Sequence, residues 1–146
     1  MDLENMDFED KYDLILDPRT SGDILRELAE IGDREILPHL AEHHNTPEDV
    51  LRHLAKDVNV YIRAGVARNT STPDDVLRDL IKDWDDLVRK DVAENTSSSI
   101  KTIITLFEYE KSPKNPSARV ILALYQNKNL PYVAKVIIET LFREML

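Results

Sequence analysis

The chain has 146 residues, 42% of them hydrophobic, and a formal net charge of −9. This length suits one domain with a modest core, and the absence of cysteine excludes disulfides, thiolate metal sites and cysteine nucleophiles. No apolar run reaches the roughly 20 residues that cross a bilayer, and a cysteine-free chain fits a reducing cytoplasm, which is the expected location.

Residues 1–16, beginning MDLENMDFEDKYD, are acidic. They read as either a frayed tail or a capping helix that turns Phe8 and Tyr12 inward. From residue 17 onward the chain repeats itself. TPEDVLRHLAKD at 46–57 returns as TPDDVLRDLIKD at 72–83, 26 positions later. IRAGVARN at 62–69 lies over VRKDVAEN at 88–95, and the same shift backwards lands on TSGDILRELAE at 20–30 and ILPHLAEH at 36–43. A fixed period of this size marks stacked repeats. The expected fold class is all-α, a solenoid of two-helix repeats with a period near 26 residues. Its repeats span about 17–44, 45–68, 69–94 and 95–126, a C-terminal cap spans 127–146, and 17–146 forms a single domain.

Each repeat carries helix signals. Thr46 and Thr72 are N-cap candidates, with Pro47 and Pro73 at the first helical position. Glu48, Asp49, Asp74 and Asp75 place negative charge at the positive end of the helix dipole. Glu48/Arg52 and Asp74/Arg78 are pairs at helical spacing. The second helix of each repeat reads as the shorter one. Asn69 and Asn95 follow it in positions suited to a left-handed terminal turn. The expected core is Ile24, Leu25, Leu28, Leu40, Val50, Leu51, Leu54, Ile62, Val66, Val76, Leu77, Leu80, Val88, Val92 and Leu122. The last third loosens the register. SSSIKTIITLFE opens on a serine cap, YEKSPKNPSA inserts a turn, and ARVILALYQN then places Arg119, Leu122 and Ala123 over Arg89, Val92 and Ala93.

The stretch VARNTSTPDDVLRDLIKD and its relatives resemble the leucine-rich repeat variant family, and through D…VR…VA they are similar to HEAT-like repeats. The resemblance is strongest over 45–95. It implies a right-handed superhelix whose second helix is often a short 3₁₀ turn, and it brings no catalytic residues with it.

Candidate sites follow from the same register. His39 and His43 are four apart with Glu42 and His44 beside them, a spacing that can hold a metal. Their register against Gly65 and Asn69 instead reads as surface and helix-end positions, and no metal and no cofactor is expected. Arg63, Arg89 and Arg119 form a row that reads either as a partner-binding surface or as a ladder with Asp57 and Asp83. Trp84, the single tryptophan, reads as an interface anchor or as a filler between repeats. Surplus apolar residues near the C-terminus, Ile138, Phe142 and Met145, form a candidate homodimer patch.

Three dispersed glycines make no phosphate loop, and the serines at 97–99 have no nearby base, so no catalytic residue is assigned. The expected function is a non-enzymatic protein–protein interaction scaffold. Surface positions that change between repeats, His53 to Asp79 and Ala64-Gly65 to Lys90-Asp91, suit that role. Two alternatives are a nucleic-acid-binding solenoid and a metal-dependent hydrolase at the histidines. The first would use the basic end, Lys101, Lys111, Lys114, Arg119, Lys128, Lys135 and Arg143. Residues 1–94 carry 24 acidic and 12 basic side chains, which argues against broad binding to a phosphate backbone.

Overall fold

A computed structural model describes residues 2–112 and 116–146, with the side chain of Met145 outside the description. All regular structure among the described residues is helical: α1 (Phe8–Leu16), α2 (Gly22–Ile31), α3 (Leu37–Glu42), α4 (Glu48–Leu54), α5 (Val60–Arg68), α6 (Asp74–Leu80), α7 (Asp86–Glu94), α8 (Ile100–Glu110), α9 (Ala118–Gln126) and α10 (Tyr132–Leu141), then a 3₁₀ turn at Arg143–Met145. No helix of the described residues is long and apolar enough to cross a membrane. The chain divides into two compact units, Met1–Thr72 and Pro73–Leu146.

In the first unit, α1 is a helix capped by Asp7, whose carboxylate accepts from the Asp10 N–H. It buries Ile15 and the stem of Lys11, while Phe8 remains 43% exposed and stacks on Tyr12. The N-terminal segment thus contains a helix, and Phe8 does not point inward. Ser21 caps α2, and Gly32 ends it at φ 74°, a left-handed conformation that a side chain would strain. Helices α3 and α5 lie against each other, and Gly65 sets their closeness. A Cβ on Gly65 would stand 2.7 Å from the Pro38 carbonyl oxygen and 2.9 Å from the Ala41 Cβ. Leu25, Leu28, Leu40, Leu51, Leu54, Ile62 and Val66 fill the core, joined by Leu3, Ile36 and Leu37, which lie outside the expected stripe. Ile24 is only half-buried.

In the second unit, α7 lies against α9 as α3 lies against α5. Val76, Leu77, Leu80, Val88 and Val92 are buried with Ile103, Leu106, Val120, Ile121 and Leu124. Leu122 is not in this core; it is 38% exposed. The cause is the end of the helix. The N–H of Asn127 donates to the Ala123 and Leu124 carbonyls, and its Oδ1 accepts from the Asn129 N–H at 2.7 Å. Asn95 likewise accepts from the Ser97 N–H at 2.8 Å. Asn127 therefore aligns with Asn95, which brings Val120, Ile121 and Leu124 over Val88, Arg89 and Val92 and turns Leu122 outward.

Three local expectations are corrected. The second helix is the shorter one in the first and fourth repeats (α3 against α2, α9 against α8) but not in the middle two: α5 and α7 have nine residues, α4 and α6 seven. Helices α5 and α7 start early because Asn59 and Asp85 accept from the N–H groups of Tyr61 and Leu87, both at 2.9 Å. Asn69 and Asn95 are not left-handed; both are extended, with ψ 119° and 118°. Thr46 and Thr72 are not N-caps. Each hydroxyl instead donates backwards, from Thr46 to the Leu40 carbonyl at 2.6 Å and from Thr72 to the Val66 carbonyl at 2.7 Å. Thr20 does the same to Leu14 in the first unit and Ser98 to Val92 in the second. Pro47 and Pro73, extended at ψ 149° and 143°, occupy the N-cap positions themselves.

Candidate functional site

The turns between α4 and α5 and between α6 and α7 are built alike. Asp57 accepts from the Asn59 N–H at 2.7 Å and Asp83 from the Asp85 N–H at 2.9 Å. The arginine row reaches the backbone of the same turns. Arg63 donates to the carbonyls of Asp57 at 2.7 Å and Val58 at 3.1 Å. Arg89 repeats this on the carbonyls of Asp83 at 2.8 Å and Trp84 at 3.3 Å. Both arginines are buried, so neither offers its guanidinium to a partner. Asp57 is held by Arg34 through two bonds of 2.7 Å. That pairing, with the Asn59 N–H, keeps the Asp57 carboxyl below the usual carboxylate range.

Arg119 does not belong to the row. It stands in the place of Leu87, is exposed, and pairs with Asp86 at 3.3 Å. The second contact of Arg89 is Glu110, which is 1% exposed and lies 2.6 Å from its Nε. The other Glu110 oxygen accepts from the Ser117 N–H at 2.8 Å, and the Ser117 hydroxyl donates to Asp86 at 2.7 Å. Glu110 thus ties the end of α8 to α7 and to the start of α9, on either side of the inserted turn. Sequence reasoning missed it because a lone glutamate ahead of KSPKNP looks like loop surface. Lys114, counted with the basic end, lies outside the described residues.

Trp84 is 76% exposed, so it fills no gap between helices. It borders a shallow depression of about 390 Å³ with Asp85, Asp86, Arg89, Pro116 and Ser117. With Arg89 buried, the rest of the lining is the indole, Pro116, Ser117 and the carboxylates of Asp85 and Asp86, the latter already paired with Arg119.

The histidines diverge. His39 meets the edge of Tyr12, with ring centroids 5.1 Å apart. His43 is buried at the end of α3. Its Nδ1 accepts from the Asn45 N–H at 3.1 Å, which places the ring proton on Nε2, 3.0 Å from the Asp17 carbonyl. Both nitrogens are engaged, so His43 presents no lone pair to a metal. His44 stacks on His43 with centroids 4.9 Å apart. Register against Asn69 predicts a helix-end position, which His43 has, and a surface one, which it lacks. Asn69 makes the equivalent contacts, accepting from the Ser71 N–H at 2.8 Å and donating to the carbonyls of Ala41 and His43 at 2.8 and 2.9 Å.

The C-terminal patch is also rearranged. Ile138 is 0% exposed and part of the core, so it is not available to a partner. Phe142 is half-buried, and the Met145 side chain is outside the described residues. The apolar residues that α10 exposes are Tyr132, Val133, Val136 and Leu141. The expected surface variation is partly internal as well: Ala64, Gly65 and Asp91 are buried. Comparison of the chain with known protein families, with curated proteins and with solved structures finds no match.

Proposed function

We propose that this chain is a non-enzymatic protein-interaction module, built as a right-handed α-solenoid of helix pairs with a period near 26 residues. The observation that carries the reading is one polar scaffold used again and again. At 20, 46, 72 and 98 a hydroxyl reaches the carbonyl six residues back. At 43, 69, 95 and 127 a side chain accepts from the N–H two residues on. Buried polar groups with these structural jobs leave the exposed positions free to vary, as interaction surfaces of stacked repeats do. The motif similarity to leucine-rich repeat variant and HEAT-like repeats supports the same reading.

Trp84 is the proposed anchor and a basic protein segment its partner, with a cationic side chain over the indole and Asp85 and Asp86 beside it. The test is affinity capture with three baits: the wild-type chain, Trp84→Ala and Val58→Ala. Val58 occupies the equivalent turn in the first unit and is 89% exposed. One stoichiometric protein, retained by Val58→Ala and lost by Trp84→Ala, is the expected result. Equal recovery by all three overturns the anchor, and recovery of no protein overturns the module.

A further inference from the structure

On α4 and α6 the outer ridge is charged. Glu48 and Arg52 pair at 2.7 Å on α4, and Asp74 and Arg78 pair at 3.7 Å in the same two places on α6. The dipeptides that precede each helix, Thr46-Pro47, Thr72-Pro73, Ser98-Ser99 and Leu130-Pro131, align α8 and α10 with them. On α8 those places hold Ile100 and Ile104, and on α10 they hold Tyr132 and Val136, all four exposed. The neighbouring ridge place is Asp49 on α4, Asp75 on α6, Lys101 on α8 and Val133 on α10, the last 70% exposed. An ion-paired ridge has become apolar within the second unit.

Within the first unit the ridge passes from one helix to the next by the same register. In the first unit Arg26 on α2 donates to Asp49 on α4 at 3.1 Å. Ile104 and Val133 occupy the corresponding places on α8 and α10. Exposed apolar surface of this kind marks an interaction site.

Charge selects what covers it. Lys101 stands on the ridge and half-buried Lys135 beside it, its Nζ 6.0 Å from the Tyr125 ring; Glu108 and Glu139 are exposed on the same helices, yet residues 95–146 carry seven basic against four acidic side chains. Two ridges meeting about a two-fold axis would bring two surfaces of net positive charge together. The complementary surface lies elsewhere in the same sequence. Residues 1–17 hold seven acidic side chains and one basic, and α1, with Lys11 and Ile15 buried, turns Glu9, Asp13 and Leu16 outward along one face beside exposed Phe8.

We propose that the α8–α10 ridge receives α1 of a second copy of this chain. Leu16 and Phe8 cover Ile104 and Val133, while Glu9 and Asp13 meet Lys101 and Lys135. The two surfaces differ, so every copy offers one of each, and association either continues or closes into a ring. The proposal concerns a surface separate from Trp84 and stands apart from that anchor.

Sedimentation velocity of the full chain across the micromolar range tests it. The average mass should rise with concentration and fall again at about 1 M salt, where the Debye length is only about 3 Å. Val133→Lys should remain monomeric, as should the double variant Glu9→Lys/Asp13→Lys. All three positions are exposed, and circular dichroism of each variant should match the wild type. Mixed in equal amounts, the two variants should form a one-to-one complex, since one keeps α1 intact and the other keeps the ridge. A wild type that stays monomeric throughout, or a mixture that does, overturns the proposal.

Discussion

Asn69 is the residue whose replacement most directly tests the polar scaffold. It is 2% exposed, and its amide nitrogen donates to Ala41 and His43 while its oxygen accepts from the Ser71 N–H. Asn69→Ala removes these bonds, but the losses are unequal. The His43 carbonyl keeps the Thr46 N–H at 2.9 Å, and Ser71 is exposed, so water replaces part of what is lost there. The Ala41 carbonyl loses its side-chain donor at a buried helix end. A buried group left unsatisfied costs about 1–3 kcal/mol and a lost bond about 1 kcal/mol, so the expected total is about 2–3 kcal/mol. Asn69→Asp keeps the Ser71 bond but sets a carboxylate oxygen against two carbonyl oxygens. It should cost more than Asn69→Ala at neutral pH, and the deficit should shrink in acid, where the protonated carboxyl can donate again. Urea unfolding followed by far-UV circular dichroism gives both numbers from shifts in midpoint at constant slope. If Asn69→Ala falls within about half a kcal/mol of wild type, or Asn69→Asp is the more stable of the two, the donor role assigned to this amide is wrong.

Three further outcomes follow from the packing and the charges. Gly65→Ala gains helix propensity of about 1 kcal/mol but drives a methyl into the backbone at Pro38, where overpacking costs about 1–3 kcal/mol; a melt should show net destabilisation, and a stabilised variant would mean that α3 and α5 are not held this close. Glu110→Ala leaves the buried Arg89 without its carboxylate, which costs about 3–5 kcal/mol in pairs of this kind, so the chemical-unfolding midpoint should drop far more than for Glu108→Ala on the exposed side of α8. Asp57 titrates below its ordinary range when folded, so its contribution is complete above the unfolded value of about 4 and disappears as the pH falls through the lower folded value; the stability gap between wild type and Asp57→Asn should therefore close in that acid window and stay constant between pH of about 5 and 8.

The apolar half of the fold was legible in the sequence. Val50, Leu51 and Leu54, then Val76, Leu77 and Leu80, are buried because an apolar stripe at helical spacing has one way to leave water. The exposed pairs Glu48–Arg52 and Asp74–Arg78 form as spaced, since one helical turn fixes their distance. Direction was not legible for the polar residues. A threonine before a proline reads as an N-cap, yet a hydroxyl is donor and acceptor alike. The turn made by the Thr46 N–H on the His43 carbonyl, 2.9 Å away, instead places the Thr46 hydroxyl beneath the Leu40 carbonyl. Arg63 and Arg89 failed for a related reason. Spacing along the sequence offered Asp57 and Asp83 as partners and gave no sign of the carbonyls of the turn itself, which lie within 2.7–3.3 Å.

The register beyond Asn95 shows which residues fix the pattern. Arg119, Leu122 and Ala123 over Arg89, Val92 and Ala93 is a good match of letters, and it is displaced by two positions from the helix that forms. Apolar residues are dense along α9, so nearly any alignment finds matches there, and their burial follows the helix rather than determining it. Asn127 has far less freedom. It must stand where its oxygen meets the N–H of Asn129 while its amide reaches the Ala93 carbonyl, 2.5 Å away in α7. A shift of two residues would point that amide away from α7 and leave a helix-end carbonyl without its donor. The polar residue at the end of the helix therefore sets the alignment, and the exposure of Leu122 and the removal of Arg119 from the buried row are its consequences. The six-residue lengthening, from 26 to the 32 that separate Asn95 from Asn127, is shared between α8, four residues longer than α6, and the connection after it, two residues longer. There Glu110 holds both sides through Arg89 and Ser117, so an insertion that would otherwise loosen α9 leaves it docked on α7.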